Sequence, residues 1–179
     1  MKIVWGITGS GDLLPETFEV MSELSKTGDF EVTAILSKAA VKVVKWYRLW
    51  DKLSSIAGKV LLEEDANTPF IVGALQTGKF NCFIVAPATA NTVAKIVNGI
   101  ADTIITNAVA QAHKANLDIY ILPVDQKPGT TTTILPSGKT LELKMRDVDV
   151  ENTSKLRKMK GIHTLEKPEE IKTVVNRYR

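Results

Sequence analysis

The side chains of this chain best suited to chemistry are short, small and polar, and they fall in three groups. Thr8, Gly9, Ser10 and Gly11 lie in the run GITGSGD over residues 6–12. Small residues there leave backbone N–H groups free to approach a phosphate at a helix N-terminus. Ser37 ends a second apolar run, in AILSKAA. The third group is Pro87, Ala88, Thr89, Asn91 and Thr92, closing the run FIVAPATANT over 83–92. In that run proline halts ladder pairing, alanine keeps the surface low, and Thr89, Asn91 and Thr92 offer hydrogen bonds to the polar edge of a flat ring. Thr8, Ser10 and Ser37 together have the donors for one terminal phosphate.

Each group also has a plainer reading. A glycine-containing turn after a strand meets steric demands without any ligand, and Thr89 or Asn91 can simply cap the helix that follows. A dinucleotide site is the nearest functional competitor, because Gly6, Gly9 and Gly11 crudely imitate a nucleotide fingerprint. That site expects an acidic residue at the end of the second strand. Ser37 and Lys38 stand there instead, which disfavours NAD and leaves a lone phosphate or NADP.

The elements that must position these groups follow from periodicity. Strands are expected at Lys2–Ile7, Phe30–Leu36, Asn81–Ala86 and Asp118–Pro123, and helices at Pro15–Thr27, Ala39–Leu53, Asn91–Asn98 and Thr103–Ala115. Strands separated by helices imply an α/β fold, a parallel sheet with helices on both faces. Residues 57–79 give no clear order. From Thr130 the texture changes to two β-prone runs around Pro136-Ser137-Gly138-Lys139, a hairpin over 130–150. Pro168 then opens a C-terminal helix with Glu169 and Glu170 in its first turn. A single domain over 1–179, with the hairpin as an extension, accounts for the whole length.

Composition narrows the function. The 23 basic and 20 acidic residues leave a net charge of +3, too mild to argue for nucleic acid. One cysteine, Cys82, cannot form an internal disulfide, and with two histidines no metal set can be assembled. Any iron-sulfur cluster therefore belongs to another protein. No stretch approaches 18 apolar residues, so no membrane span is expected and the protein is read as soluble and cytoplasmic. Lys38, Lys42, Lys45, Arg48 and Lys52 recur at helical spacing opposite Val43, Trp46, Trp50 and Leu53. Such a stripe is ordinarily a solvated face, and Trp46, Tyr47 and Trp50 are ordinarily core or subunit packing.

PATANT followed by AKIVNGIADTIITN closely resembles the PASANT signature of the homo-oligomeric flavin-containing Cys decarboxylase superfamily, and GITGS resembles that family's N-terminal phosphate loop. The resemblance covers roughly residues 1–125. It implies a Rossmann-like flavoprotein fold, with FMN held near the subunit interface of a trimer-based homo-oligomer. Gly9, Ser10 and Ser37 would then hold the phosphate. Pro87, Ala88, Thr89, Asn91 and Thr92 would line the ring, Asn91 acting on the chemistry, with Thr106 and Asn107 as secondary contacts.

Departures from the family pattern are informative. Its decarboxylases carry a histidine after the second strand and a methionine-asparagine motif later; SKAAVKVVKWYRLW and LPVDQKPG have neither. Decarboxylation is therefore not expected. WGITGSGD and the C-terminal segment are similar to the archaeal branch, which includes the archaeoflavoprotein A type and acceptor-dependent dihydromethanopterin reductases. That resemblance implies an FMN electron-transfer oxidoreductase taking electrons from ferredoxin and passing them to another redox protein. A pterin-reducing enzyme and a non-redox nucleotide-binding module are the alternatives.

Overall fold

Alternation in the apolar runs decides the architecture. In β1 (Lys2–Ile7), Ile3, Trp5 and Ile7 enter one core and Val4 the other; β4 (Cys82–Ala88) sends Cys82, Ile84 and Ala86 to the first and Phe83, Val85 and Ala88 to the second. Strands that bury both faces need helices on both sides. The computed structural model, which describes residues 1–179, supplies them. α1 (Leu14–Ser25), α2 (Lys38–Trp46), α3 (Trp50–Ile56) and α8 (Glu170–Asn176) cover the first face through residues such as Phe18, Val44, Leu53 and Val175. α4 (Val72–Gln76), α5 (Ala90–Val97), α6 (Ile104–Lys114) and α7 (Asp147–Leu156) cover the second through Leu75, Val93, Ala108 and Leu156.

The sheet has six strands in the order β3-β2-β1-β4-β5-β8, all parallel, with β2 at Glu31–Leu36, β3 at Lys59–Leu62, β5 at Ile119–Pro123 and β8 at Ile162–Thr164. The chain winds from β1 outward through β2 and β3, then restarts on the other side of β1 with β4. That reversal opens a crevice at the carboxyl ends of β1 and β4, the place where such sheets bind ligands. Outside the sheet, β6 (Thr130–Ile134) and β7 (Thr140–Lys144) pair antiparallel as the expected hairpin.

Several elements differ from the sequence reading. The helix expected over 39–53 is two helices, because Arg48 adopts a left-handed conformation at φ 57° and turns the chain between them. Residues 57–79 supply edge strand β3 and the short α4. β4 runs on through Pro87 to Ala88. Proline costs a ladder N–H, and the pairing with β5 shifts register there before Ala88 meets Pro123. α7 and β8 were not foreseen, and the C-terminal helix begins at Glu170, with Pro168 in the preceding turn. No helix is long and apolar enough to cross a membrane.

Candidate functional site

The crevice is stitched shut at its base by Thr8. Its buried hydroxyl donates to the Pro87 carbonyl at 2.7 Å and accepts from the Thr89 N–H at 2.9 Å, joining the loop after β1 to the loop after β4. Its proton is therefore committed within the chain. Ser10 is also buried and turned back on its own loop, bonding the N–H of Asp12 at 3.1 Å and its carbonyl at 3.2 Å. Ser37 caps α2 by accepting from the Ala40 N–H at 3.1 Å, which leaves its own O–H to donate. Of the three hydroxyls, Ser37 alone keeps a free proton.

Free backbone donors make up the difference. In the first turn of α2, Glu63 takes the Lys38 N–H, and Ser37 takes those of Ala40 and Val41. The N–H groups of Ala39, Gly9 and Gly11 have no acceptor within the chain. Gly9 packs so close to α2 that a Cβ on it would lie 2.5 Å from the Ala39 Cβ. At Gly11 a Cβ would collide with the Tyr47 ring. The glycines thus let a cradle of unpaired N–H donors form beside a helix N-terminus, a surface suited to phosphate oxygens.

Two chambers open from this cradle. The first, of about 410 Å3, is lined by Thr8, Gly9, Ser37, Glu63, Thr89 and Asn91 among others. The second, of about 420 Å3, lies under the hairpin; Gly9, Thr89 and Asn91 border both. Thr89 is the cap of α5, accepting from the Thr92 N–H and meeting the Thr92 hydroxyl at 3.0 Å. Asn91 is exposed and its amide makes no bond within the chain. Pro87 and Ala88 are buried inside β4 and back the shelf.

Thr106 and Asn107 are not brought to the cradle. Thr106 forms a reciprocal capping box with Thr103 at the start of α6, and Asn107 holds the 66–67 turn through the Ala66 carbonyl and Asn67 side chain, both at 2.9 Å. Of the two placements expected for Trp46, the core is excluded: it is 56% exposed, at the mouth of the second chamber. Tyr47 donates to the Ile134 carbonyl at 3.1 Å and so tethers the hairpin to α2.

Glu63 is the residue sequence reasoning missed. Its carboxylate accepts the Lys38 N–H and the Ile104 N–H, each at 2.8 Å, clamping the starts of α2 and α6 at the edge of the first chamber. A nucleotide fingerprint wants a carboxylate at the end of the second strand; here one comes from the end of the third. An acidic residue closing the apolar run KVLL was the available signal.

The second chamber concentrates negative charge. Burial pushes the Asp12 carboxyl above the usual carboxylate range, and neighbouring Glu16 adds to it. Burial likewise raises Asp125, helped by Asp149 and Asp12 and opposed by Arg146. Arg146 is engaged by Asp149 at 2.6 and 2.8 Å. Burial, Asp12 and Glu16 also raise the Tyr47 phenol.

With this geometry in view, comparison with known proteins defines the class. The Flavoprotein family model matches residues 1–177, and the chain belongs to that family. It is 57% identical over 175 residues to an uncharacterized protein of Methanocaldococcus jannaschii, covering 98% of this chain and 94% of the relative. It is also 35% identical over 231 aligned positions to the dihydromethanopterin reductase (acceptor) of the same organism, covering 96% and 94%. Among solved structures, the FMN complex of Burkholderia xenovorans DmrB, described as a cubic protein cage for redox transfer, superposes with a TM-score of 0.83 at 29% identity over 99% of this chain and 94% of that one.

Proposed function

We propose that this chain is an FMN-dependent oxidoreductase that carries electrons between a protein donor and a further acceptor. The observation that carries the reading is the set of unpaired N–H donors of Gly9, Gly11 and Ala39, at the switch point of the sheet and beside the free amide of Asn91. In this reading the N–H groups and Ser37 hold the phosphate, and Thr89 and Asn91 border the ring. FMN supplies the one- and two-electron chemistry, and the protein supplies position and a tuned potential. Membership of the Flavoprotein family and the likeness to an FMN-binding cage protein support it.

The donor in this proposal is ferredoxin or a similar acidic redox protein. A chain with one buried cysteine has no cysteine set for a cluster of its own, and exposed Lys38 borders the first chamber, with exposed Lys42 and Lys45 further along α2. We also propose a trimer-based homo-oligomer with FMN near the subunit interface. Exposed Trp46, Leu141 and Leu143 around the chamber mouth support that, because apolar groups clustered at one rim are ordinarily covered. A second reading, reduction of a small heterocycle such as a pterin within the same crevice, is favoured by the second chamber.

The experiment is an absorption spectrum of the purified protein, with the released cofactor identified by mass. A flavin spectrum and FMN are expected. FAD, NADP or a colourless preparation with no FMN uptake would overturn the reading.

A further inference from the structure

We infer that the free edge of β7 is a contact between copies of this chain, two β7 strands pairing antiparallel about a two-fold axis at Leu143 and joining two hairpins into one continuous sheet.

The hairpin's own bonding decides which groups are left over. The Leu135 N–H donates to the Lys139 carbonyl and the Met145 N–H to the Gly129 carbonyl, both at 2.9 Å, with Thr133↔Leu141 and Thr131↔Leu143 in register between them. Bonded and non-bonded pairs alternate in an antiparallel ladder, so Leu141 and Leu143 spend their N–H and C=O groups inside the hairpin. Those of Thr140, Glu142 and Lys144 point away from β6. On the opposite edge the Ile134 carbonyl points outward in the same way, and there Tyr47 meets it. No strand or side chain of the chain meets the β7 edge, and all five of its residues are exposed. A two-stranded hairpin is marginal in water, and an uncovered edge is a template for another strand.

Charge and apolar area choose the occupant and its register. Outward-facing residues must meet outward-facing residues, which puts the two-fold axis on a residue and not between two. Centred on Glu142 or on Lys144, the pairing sets a like charge opposite itself; centred on Leu141, it leaves Lys144 facing the partner's Gly138. Centred on Leu143, it places Glu142 opposite the partner's Lys144 and Lys144 opposite the partner's Glu142, each pair exchanging two N–H···O bonds. Neither charge has an ion-pair partner within the chain. On the face turned to the second chamber, the same register sets Leu143 against the partner's Leu143 and Leu141 against the partner's Met145. Leu141 and Leu143 are 39% and 46% exposed in the single chain. The contact covers them and gives the two chambers one continuous wall. The strand is thus complementary to itself, as a two-fold contact requires.

This contact is independent of the three-fold assembly proposed above, and it would join such trimers in pairs. The test measures mass by light scattering on the protein as purified, for the parent, Glu142→Lys, Lys144→Glu and the double variant that exchanges the two charges. Each single variant should bring the mass to roughly half or less, and the exchange should restore it. Oxidation of Leu143→Cys with diamide should give a covalent dimer on a non-reducing gel, because that residue faces its own copy at about 4.5 Å between Cα atoms, within disulfide range. Thr140→Cys, which faces the partner's Arg146, should not crosslink. Cys82 is buried and takes no part.

A parent that is a monomer or an isolated trimer, single variants with the parent's mass, a charge exchange that stays dissociated, or Leu143→Cys crosslinking no faster than Thr140→Cys would overturn the inference. An isolated trimer does so while leaving the three-fold proposal standing. A two-fold dimer without trimers does the reverse.

Discussion

Thr8 and Thr89 come from loops 81 residues apart, and the Thr89 N–H donates to the Thr8 hydroxyl at 2.9 Å while that hydroxyl donates to the Pro87 carbonyl at 2.7 Å. One side chain thus holds the phosphate-loop candidate against the ring-shelf candidate. Thr8→Val keeps the shape, leaves the partly buried Thr89 N–H without its acceptor and leaves the Pro87 carbonyl only the Thr8 N–H at 3.3 Å, at a cost of about 1–3 kcal/mol. Urea unfolding should show that loss, and Thr8→Ser should recover most of it. A Thr8→Val midpoint equal to the parent would mean the two loops are fixed by something else.

Glu63 clamps two helices with one carboxylate, so its removal should be felt in both. Glu63→Ala strips an acceptor from the Lys38 and Ile104 N–H groups and should cost about 2 kcal/mol. Glu63→Gln keeps one acceptor oxygen and should cost less. Hydrogen exchange should report the first turns of α2 and α6 opening together in the alanine variant; exchange rising in one helix only would contradict a shared clamp.

The parts of this fold legible in the sequence are those where burial on both faces writes a long apolar run. β1, β4 and β5 were read within two or three residues for that reason, and the loops after β1 and β4 then marked the crevice. The edge strand β3 has four residues, none fully buried, and carries no such signature. Nothing in LysTrpTyrArgLeuTrp at 45–50 marks a helix break, since the left-handed turn falls on Arg48 where no glycine or proline announces it. α7 hid for another reason: it buries Asp149, Asn152 and Thr153 and shows little apolar periodicity. The gathering of Asp12 and Asp125 in the second chamber depends on where the hairpin folds back, which no local pattern states.

Those carboxyls predict a pH dependence. Burial raises Asp12 and Asp125 above their ordinary value of 3.8, so the folded state binds more protons than the unfolded state as pH rises from there. The contribution of these two groups to stability therefore falls with rising pH from about 3.8 through the raised folded values, and levels off above them. Asp125→Asn removes one contribution: without added ligand it should unfold at higher urea than the parent at pH 7, with the gain shrinking toward pH 4. A gain that is the same at both values would show that the Asp125 carboxyl is not what is strained.

Asn91 and Thr89 separate chemistry from capping. Thr89 is the cap of α5, so Thr89→Ala should cost about 1 kcal/mol in unfolding. The Asn91 amide has no partner in the chain, and Asn91→Ala should change stability by less than about 0.5 kcal/mol. Its effect should fall instead on the flavin, as a shifted potential or slower reoxidation, because a dipole at the ring edge stabilises charge that develops on reduction. A potential and turnover identical to the parent would leave Asn91 without a role.

The structure also trims the basic stripe, and that sharpens the test of a protein donor. Lys52 lies on α3, half-buried and paired with Glu19, and Arg48 sits in the turn between helices. Lys38, Lys42 and Lys45 remain on the exposed side of α2, with the Lys45 ammonium 5.1 Å from the Trp50 ring. Rim charges act mainly on association rate and are screened over about 8 Å at physiological ionic strength. Reduction by ferredoxin should slow as salt rises, and the Lys42→Glu and Lys45→Glu double variant should slow it by roughly tenfold at low salt. Dithionite, which needs no docking face, should reduce parent and variant alike, and FMN content should not change. Stopped-flow flavin bleaching at two salt concentrations reads all of this. Ferredoxin rates that are equal for both proteins at both salts would return α2 to being a solvated helix face, and the electron donor would have to approach the crevice from another side.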